Sequence, residues 1–429
     1  MASVLGAPRA APRAASLDAL IRPLRAVDNR TNWLYIAAEH ATLATVLVST
    51  VLLVENHARL GFHWAIVPFV VAAAWVLIAA CQHRLMGLGH EGSHYILFKN
   101  RVLNELASDL LCMFPVLATT EHYRQVHLGH HEFVNDWERD PELINLGKTR
   151  GMDAFPMDRW RYLRSFGSWL IWPPSVLRYM NDNFFTTILG MGRHPYMVEA
   201  DAKTTGRFTP WRPATILGIV YLVVMGTSVS YLRFRGDVTS ILLAAASAYA
   251  VALVAIRLMP REWFFRSQLK NVYSIKITSA LRLGFFTALY TAFAVAENVT
   301  NHPWGVYFWL LWIGPMVTVL PHLMIHRDLF QHANCDDGRL TNARNMFTHP
   351  FIRWAMFVYG QDMHLTHHLC PAVPHYRLRR LDEIYRQNDG DYAENVIECH
   401  GVLFRGREDR PAILDTIDAE HVASRHARD

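Results

Sequence analysis

Six stretches of the chain are apolar almost without interruption, with the polar residues pushed to their ends. They run over roughly 34–54, 64–86, 213–232, 239–258, 279–298 and 304–323. A helix rises 1.5 Å per residue, so about 20 apolar residues cross a bilayer core of about 30 Å. The apolar positions are bunched rather than periodic. The pattern therefore predicts an all-α membrane protein with six spans. The first two and last two stretches are the most continuous; the middle pair suits either two spans or a re-entrant hairpin.

The polar stretches carry other helices. Residues 102–119 read as an amphipathic helix leading into a histidine-rich segment. Residues 160–190, beginning WRYLRSFGSWLIWPPSVLRYM, mix Trp, Tyr and Arg with aliphatic residues. That mixture suits a helix lying in the membrane interface, or an amphipathic helix packed on the protein. The first 30 residues are rich in Ala, Arg and Pro and lack a signal core with a cleavage site. They are expected to be a disordered leader, with a basic transit peptide as the alternative. Residues 401–429 are charged and expected to form a loose tail. A single membrane domain over 31–400 remains.

Charge sets an orientation. With six spans and a cytoplasmic N-terminus, the outside loops near 55–63, 233–238 and 299–303 hold only Arg59, Arg233 and Arg235 as basic residues. The inside segments hold Arg22, Arg25, Arg30, Arg261, Arg266 and Lys270, as the positive-inside rule requires. Composition agrees with a membrane protein: 52% of residues are hydrophobic and 18% charged. A net charge of +5 is too mild to imply a nucleic-acid partner. The five cysteines, Cys81, Cys112, Cys335, Cys370 and Cys399, form no C-x-x-C pair. No iron–sulfur cluster or rubredoxin-like site is therefore encoded, and the odd, scattered set argues against a disulfide framework and fits a reducing cytosol.

The chemistry lies in the histidines. His-x-x-His-His occurs twice, as His127, His130, His131 and as His364, His367, His368, while His90 and His94 stand just past the second apolar run. Residues four apart share a helix face, so one helical turn can offer imidazoles to two adjacent ions. The six-span topology gathers all three clusters on the cytoplasmic side. Eight imidazoles exceed what one tetrahedral zinc takes, and neutral imidazole suits iron, zinc or copper. An all-nitrogen environment with no obvious carboxylate ligand pair also differs from the soluble di-iron bundles, which use Glu and Glu-x-x-His. The plain alternative for any one histidine is a hydrogen-bonded packing residue.

The chain resembles the membrane fatty acid desaturase family, whose members carry three histidine boxes. The boxes match at HEGSH, at YRQVHLGHHEFVNDWERDP and at DMHLTHHLCPAVPHYRL, within a resemblance over roughly 64–380. The resemblance implies a non-haem di-iron centre that activates O₂, with a cytoplasmic helical cap above the spans. It also implies a further ligand between the last span and the third box. His332 in DLFQHANC fits best, and His326 in LMIHRD is the competitor. The expected ligands are then His90, His94, His127, His130, His131, His332, His364, His367 and His368. Glu91, Asp136, Asp140 and Asp362 are candidates to orient them. His40, His83, His122, His322 and His375 are expected to be structural or supporting. Glu39 and His40, early in the first span, are a functional candidate because ionisable groups are costly there.

The family's activity implies a lipid or fatty acyl substrate, desaturated in most members. The same boxes serve hydroxylases, decarboxylases that yield a terminal alkene, and carotenoid hydroxylases or ketolases. The chain carries no recognisable haem, flavin or iron–sulfur module. A separate electron donor (ferredoxin, rubredoxin or a haem protein, with its reductase) is implied. A narrow apolar tunnel from cap to stem is expected from the substrate class. A metal transporter is the rival from another class. It would place its histidines at the bilayer midplane, whereas here they lie beyond the span ends. The third box departs from family habit in Asp-Met-His and in the Leu-Thr between its histidines, which bears on substrate class and on the bonds around the ligands.

Overall fold

The computed structural model describes residues 16–171, 174–404, 407 and 410–418. Six helices are long and apolar enough to cross a bilayer: Thr31–Asn56, Trp64–Ser93, Pro213–Arg235, Val238–Leu258, Ile275–Thr300 and Trp304–His332. They coincide with the six apolar runs. The middle pair are two full helices joined by a turn at Gly236–Asp237, with Asp237 accepting a hydrogen bond from Ser240 N–H. Large apolar side chains such as Phe69, Val223 and Val251 face outward, as lipid-facing positions do.

The spans sort into two packed sets. The first, second and last meet through Leu43, Ala74, Ile78, Cys81, Leu85 and Leu311. The third, fourth and fifth meet through Met225, Val229, Ile241, Ala245 and Ala294. Small residues at such crossings let backbones approach closely.

Two spans extend further than their apolar runs, and these extensions build the site. The second runs on to Ser93, with His94 as its C-cap. The last is broken by a wide turn over Trp309–Ile313 and resumes as Val319–His332. Pro315 and Pro321 follow the break, and each removes a backbone donor.

The amphipathic segment after the second span forms a bent element. Arg101–Val116 meets the second-box helix, Thr120–Glu132, at 93°. The bend falls at Leu117, whose φ is +67°, and Thr119 caps the new helix by accepting from His122 N–H. Both arms are largely buried against the second span, so we read the element as part of the cap.

Segment 160–190 forms helices over Arg159–Ile171 and Pro174–Asn183. Tyr162, Phe166, Val176 and Tyr179 face inward, while Trp160 (70% exposed) and Leu177 (59%) face out. An apolar outer face on an amphipathic helix suits the interfacial reading.

The folded unit is longer at both ends than the sequence suggests. Residues 1–15 and 419–429 lie outside the described residues. Within the expected leader, Leu17–Ile21 forms a helix whose Ile21 packs with Met363, Leu365, Val373 and Leu381. Arg377 secures the segment by donating to the carbonyls of Pro23, Leu24 and Ala26. Within the expected tail, Ile413, Leu414 and Ile417 are buried in the main core. A short parallel pair, Asn345–Phe347 with Glu398–His400, leads to them. Charge in the flanking sequence masked these few apolar anchors.

Candidate metal centre

Four segments deliver nine histidines to one place. The second span ends in His90 and His94, and the second-box helix carries His127, His130 and His131. The last span ends at His332, and the short helix His364–Leu369 carries the third box. The ligand nitrogens fall into two groups. Those of His90, His94, His127, His131 and His367 lie within 4.8 Å of one another, as do those of His130, His332, His364 and His368.

Helical spacing explains the split. His127 and His131, four apart, face the five-nitrogen group, and the intervening His130 turns to the other. In the third box the roles reverse: His364 and His368 face the four-nitrogen group, and His367 crosses over. The groups are adjacent, with the rings of His131 and His368 stacked at 4.2 Å.

The spacing of the nitrogens suits metal ions. Neighbouring Nε2 atoms are 3.0 Å apart for His94–His127 and 3.1 Å for His127–His131, His131–His367 and His364–His368, with 2.7 Å for His332–His364. Two nitrogens bound at about 2.1 Å lie about 3.0 Å apart at a right angle and about 4.2 Å apart when opposed. His90 Nε2 is buried without a protein partner, as a ligand atom would be. The residues present fit a pair of metal ions.

Neutral imidazole is the ligating form. Burial holds His94, His131, His364, His367 and His368 well below the usual histidine range. His130 departs from this: burial lowers it, but the Asp140 and Glu142 carboxylates outweigh burial and bring it up to about 9.

Several partners orient the rings. His130 Nδ1–H donates to Asp140 at 2.8 Å, and His332 Nδ1–H donates to the Asn342 carbonyl at 3.0 Å. Each leaves Nε2 free toward the centre. Glu91 lies 3.5 Å from His90 Nδ1 and accepts from His375 N–H. Asp140 and Glu91 therefore stand where the sequence suggested. Asp136 and Asp362 do not. Asp136 pairs with Arg139 on an exposed turn, and Asp362 is buried against Arg379. Sequence neighbourhood cannot tell which way a carboxylate points.

Of the two rivals for the extra ligand, His332 joins the cluster. His326 donates to the His322 carbonyl and packs among Tyr162, Phe166 and Phe330. His40, His83 and His122 are bonded to the carbonyls of Leu111, Ala355 and Ile188. His375 is bonded to Asn32. Glu39 pairs with Arg84 and accepts from Tyr359, and His40 takes no part in that pairing.

Sequence reasoning missed the buried ion pairs behind the histidines. Arg124 grips Glu105 with both terminal nitrogens, at 2.8 and 2.7 Å. It also donates to the carbonyls of Gly92 and Ser93, the last of the second span. It thereby ties the second-box helix to the turn that ends in His94, satisfying carbonyls that a helix C-terminus leaves open. Arg150 bridges Glu142 and Asp328, at 2.7 and 2.8 Å, and Glu142 in turn lies 3.5 Å from His127 Nδ1. Glycine permits the crowding: a Cβ on Gly89 would collide with Met113, and one on Gly92 with Ser108.

A cleft of about 630 Å³ opens along Arg261–Ile275, and an apolar hollow of about 130 Å³ lies near Leu53 and Val67. Neither touches a cluster histidine, and the expected cap-to-stem tunnel is not one of them.

Comparison with known proteins agrees with the site. The fatty acid desaturase family model matches residues 62–263 and 226–399. The chain is 22% identical over 398 residues to dihydrorhizobitoxine desaturase of Bradyrhizobium elkanii, covering 90% of this chain and 84% of that one. Together with six spans and a histidine cluster built to hold metal, this shows that the chain belongs to the fatty acid desaturase family and is a multi-pass membrane oxidoreductase.

Proposed function

We propose that the chain uses two iron ions and O₂ to desaturate a fatty acyl or related lipid chain. The observation that carries this reading is the pair of adjacent five- and four-imidazole groups, with no carboxylate among their ligands. Iron so held supplies a strong oxidant from O₂ and external electrons. The net reaction is –CH₂–CH₂– + O₂ + 2e⁻ + 2H⁺ → –CH=CH– + 2H₂O.

The protein's own part is positional. His90, His94, His127, His131 and His367 hold one ion, and His130, His332, His364 and His368 the other. Asp140 and the Asn342 carbonyl fix the Nδ1–H of their rings, so that Nε2 faces inward. Burial of the cluster excludes water. The electrons come from a separate ferredoxin, rubredoxin or haem protein with its reductase. The cap faces the cytoplasm, which the position of Arg266 and Lys270 supports. Their connection packs on the second-box helix through Ser267–Gln125 and Asn271–Glu121.

The test is iron content and product analysis on the purified protein with a reductant, wild type against His367→Ala. The reading expects two irons per chain and an alkene product, both diminished in the variant. A single zinc, or no O₂ uptake coupled to reductant, would refute it.

A further inference from the structure

Most deeply placed arginines here are satisfied in one of two ways. Arg84, Arg124 and Arg150 face carboxylates. Arg282 and Arg344 donate to backbone carbonyls. Arg327 has neither. Its Nη1 makes two long contacts, 3.3 Å to His83 Nε2 and 3.3 Å to Gln361 Oε1, and its Nε is buried without a partner. Among the described residues it forms no ion pair. The carboxylate next to it in sequence, Asp328, is committed to Arg150.

Its position matters as much. Arg327 precedes the ligand His332 by five residues, about 7.5 Å along a helix. His83 precedes His90 by two turns on the same face, and Gln361 precedes His364 by three residues. Arg327 is thus bracketed by three of the segments that hold the metal site, on the stem side of it. Its charge acts on His90 and Tyr123.

The carboxylates around the rings are committed elsewhere: Glu91 faces His90, Asp140 faces His130, and Glu142 and Asp328 share Arg150. None of them forms an ion pair with Arg327, which is left to an anion from outside the protein. An uncompensated buried charge is costly. The planar fork of arginine matches a carboxylate with two parallel hydrogen bonds. Leu323 and Val319, one and two turns back on the same face, are half-buried against the apolar core, so the helix face leading stemward from Arg327 is apolar, as a hydrocarbon tail would need.

We propose that Arg327 anchors the carboxylate of the substrate, so that the chain oxidises a free carboxylic acid within its first few carbons. This rests on the oxidative reading above. It names the substrate class as an acid rather than an ester, thioester or alcohol.

The test compares laurate with dodecanol and methyl laurate on iron-loaded protein in detergent, by calorimetric binding and by product analysis. Wild type is expected to bind laurate at least tenfold more tightly than dodecanol. Arg327→Gln is expected to erase that preference at unchanged iron content and unchanged dodecanol affinity, and Arg327→Lys to keep part of it. Products are expected to be altered within a few carbons of the carboxylate. Retention of the laurate preference in Arg327→Gln, or equal binding of laurate and dodecanol by wild type, would overturn the assignment. Should Arg327→Gln not fold, the wild-type comparison and Arg327→Lys decide alone. Zinc-loaded protein is expected to show the same binding contrast. A retained laurate preference without O₂-dependent oxidation would therefore sink the oxidase reading and spare the anchor. Equal oxidation of methyl laurate and laurate would sink the anchor and spare the oxidase.

Discussion

The five-nitrogen and four-nitrogen groups are built from the same helical spacing, yet they are held in different ways. In the four-nitrogen group, His130 and His332 are locked by short Nδ1–H bonds to Asp140 and to the Asn342 carbonyl. In the five-nitrogen group the nearest carboxylates, Glu91 and Glu142, stand off at 3.5 Å, and His131 Nδ1 has no protein partner. Orientation there comes from helix packing: Gly89 and Gly92 press the second span against its neighbours, and Arg124 clamps its end. Two rings of the four-nitrogen group are oriented by direct Nδ1–H bonds, although His364 Nδ1 also lacks a partner among the described residues, while the five-nitrogen group relies on backbone placement. The group with fewer protein nitrogens also leaves more room for a non-protein ligand.

The contrast is broken most severely by removing a ligand on one side. His332→Ala is expected to empty the four-nitrogen group and lower turnover at least about a hundredfold, more than loss of a supporting residue does. His326→Ala, which removes a ring packed among Tyr162, Phe166 and Phe330 outside the cluster, should keep full metal; elemental analysis of the two variants decides. Next, Arg124→Met removes the clamp and strands Glu105 in the interior. A broken buried ion pair costs about 3–5 kcal/mol, so the melting temperature of the holoprotein should fall sharply. The five-nitrogen group should lose metal before the other.

Asp140→Asn tests the opposite side. It leaves the fold intact but weakens the grip on His130, and metal affinity is expected to drop about 10–100-fold at the four-nitrogen group alone. Competition with a chelator would measure it; an equal loss at both groups would mean that they are not independently held.

The smallest effect is in pH. His130 without metal rests near 9, so below that pH the metal must displace a proton from it. Affinity of the four-nitrogen group should therefore rise up to about tenfold per pH unit between 7 and 9, then level off. Histidines of the five-nitrogen group are already neutral there, so its affinity should stay flat over that range. Titration of the apoprotein with proton-release detection checks both.

Much of this was legible in the chain. Each apolar run became a span, because bilayer thickness dictates length and little else competes. The i, i+3, i+4 histidines were readable as two adjacent sets of imidazoles because helical geometry is local. Where the chain was misread, the cause was distance in sequence. Ile21 and Ile413 look like parts of charged flanks, and only their packing on the third-box region and the main core shows that they belong to the fold. Asp136 and Asp140 are equivalent by position, yet a turn aims one at Arg139 and the other at His130.

The sequence by itself determined six membrane spans, an all-α architecture and a set of histidines on one side of the bilayer. These follow from hydrophobic length and helical period, which act within a few turns of chain. Only the tertiary structure decided which nitrogens lie together in each group, that His332 rather than His326 joins them, and that Arg327 forms no ion pair among the described residues. Those depend on contacts between residues far apart in sequence, such as His332 with His364, 32 positions away, and Arg327 with His83, 244 positions away. Electrostatic pairing and close packing are properties of distance in space, which no local pattern encodes.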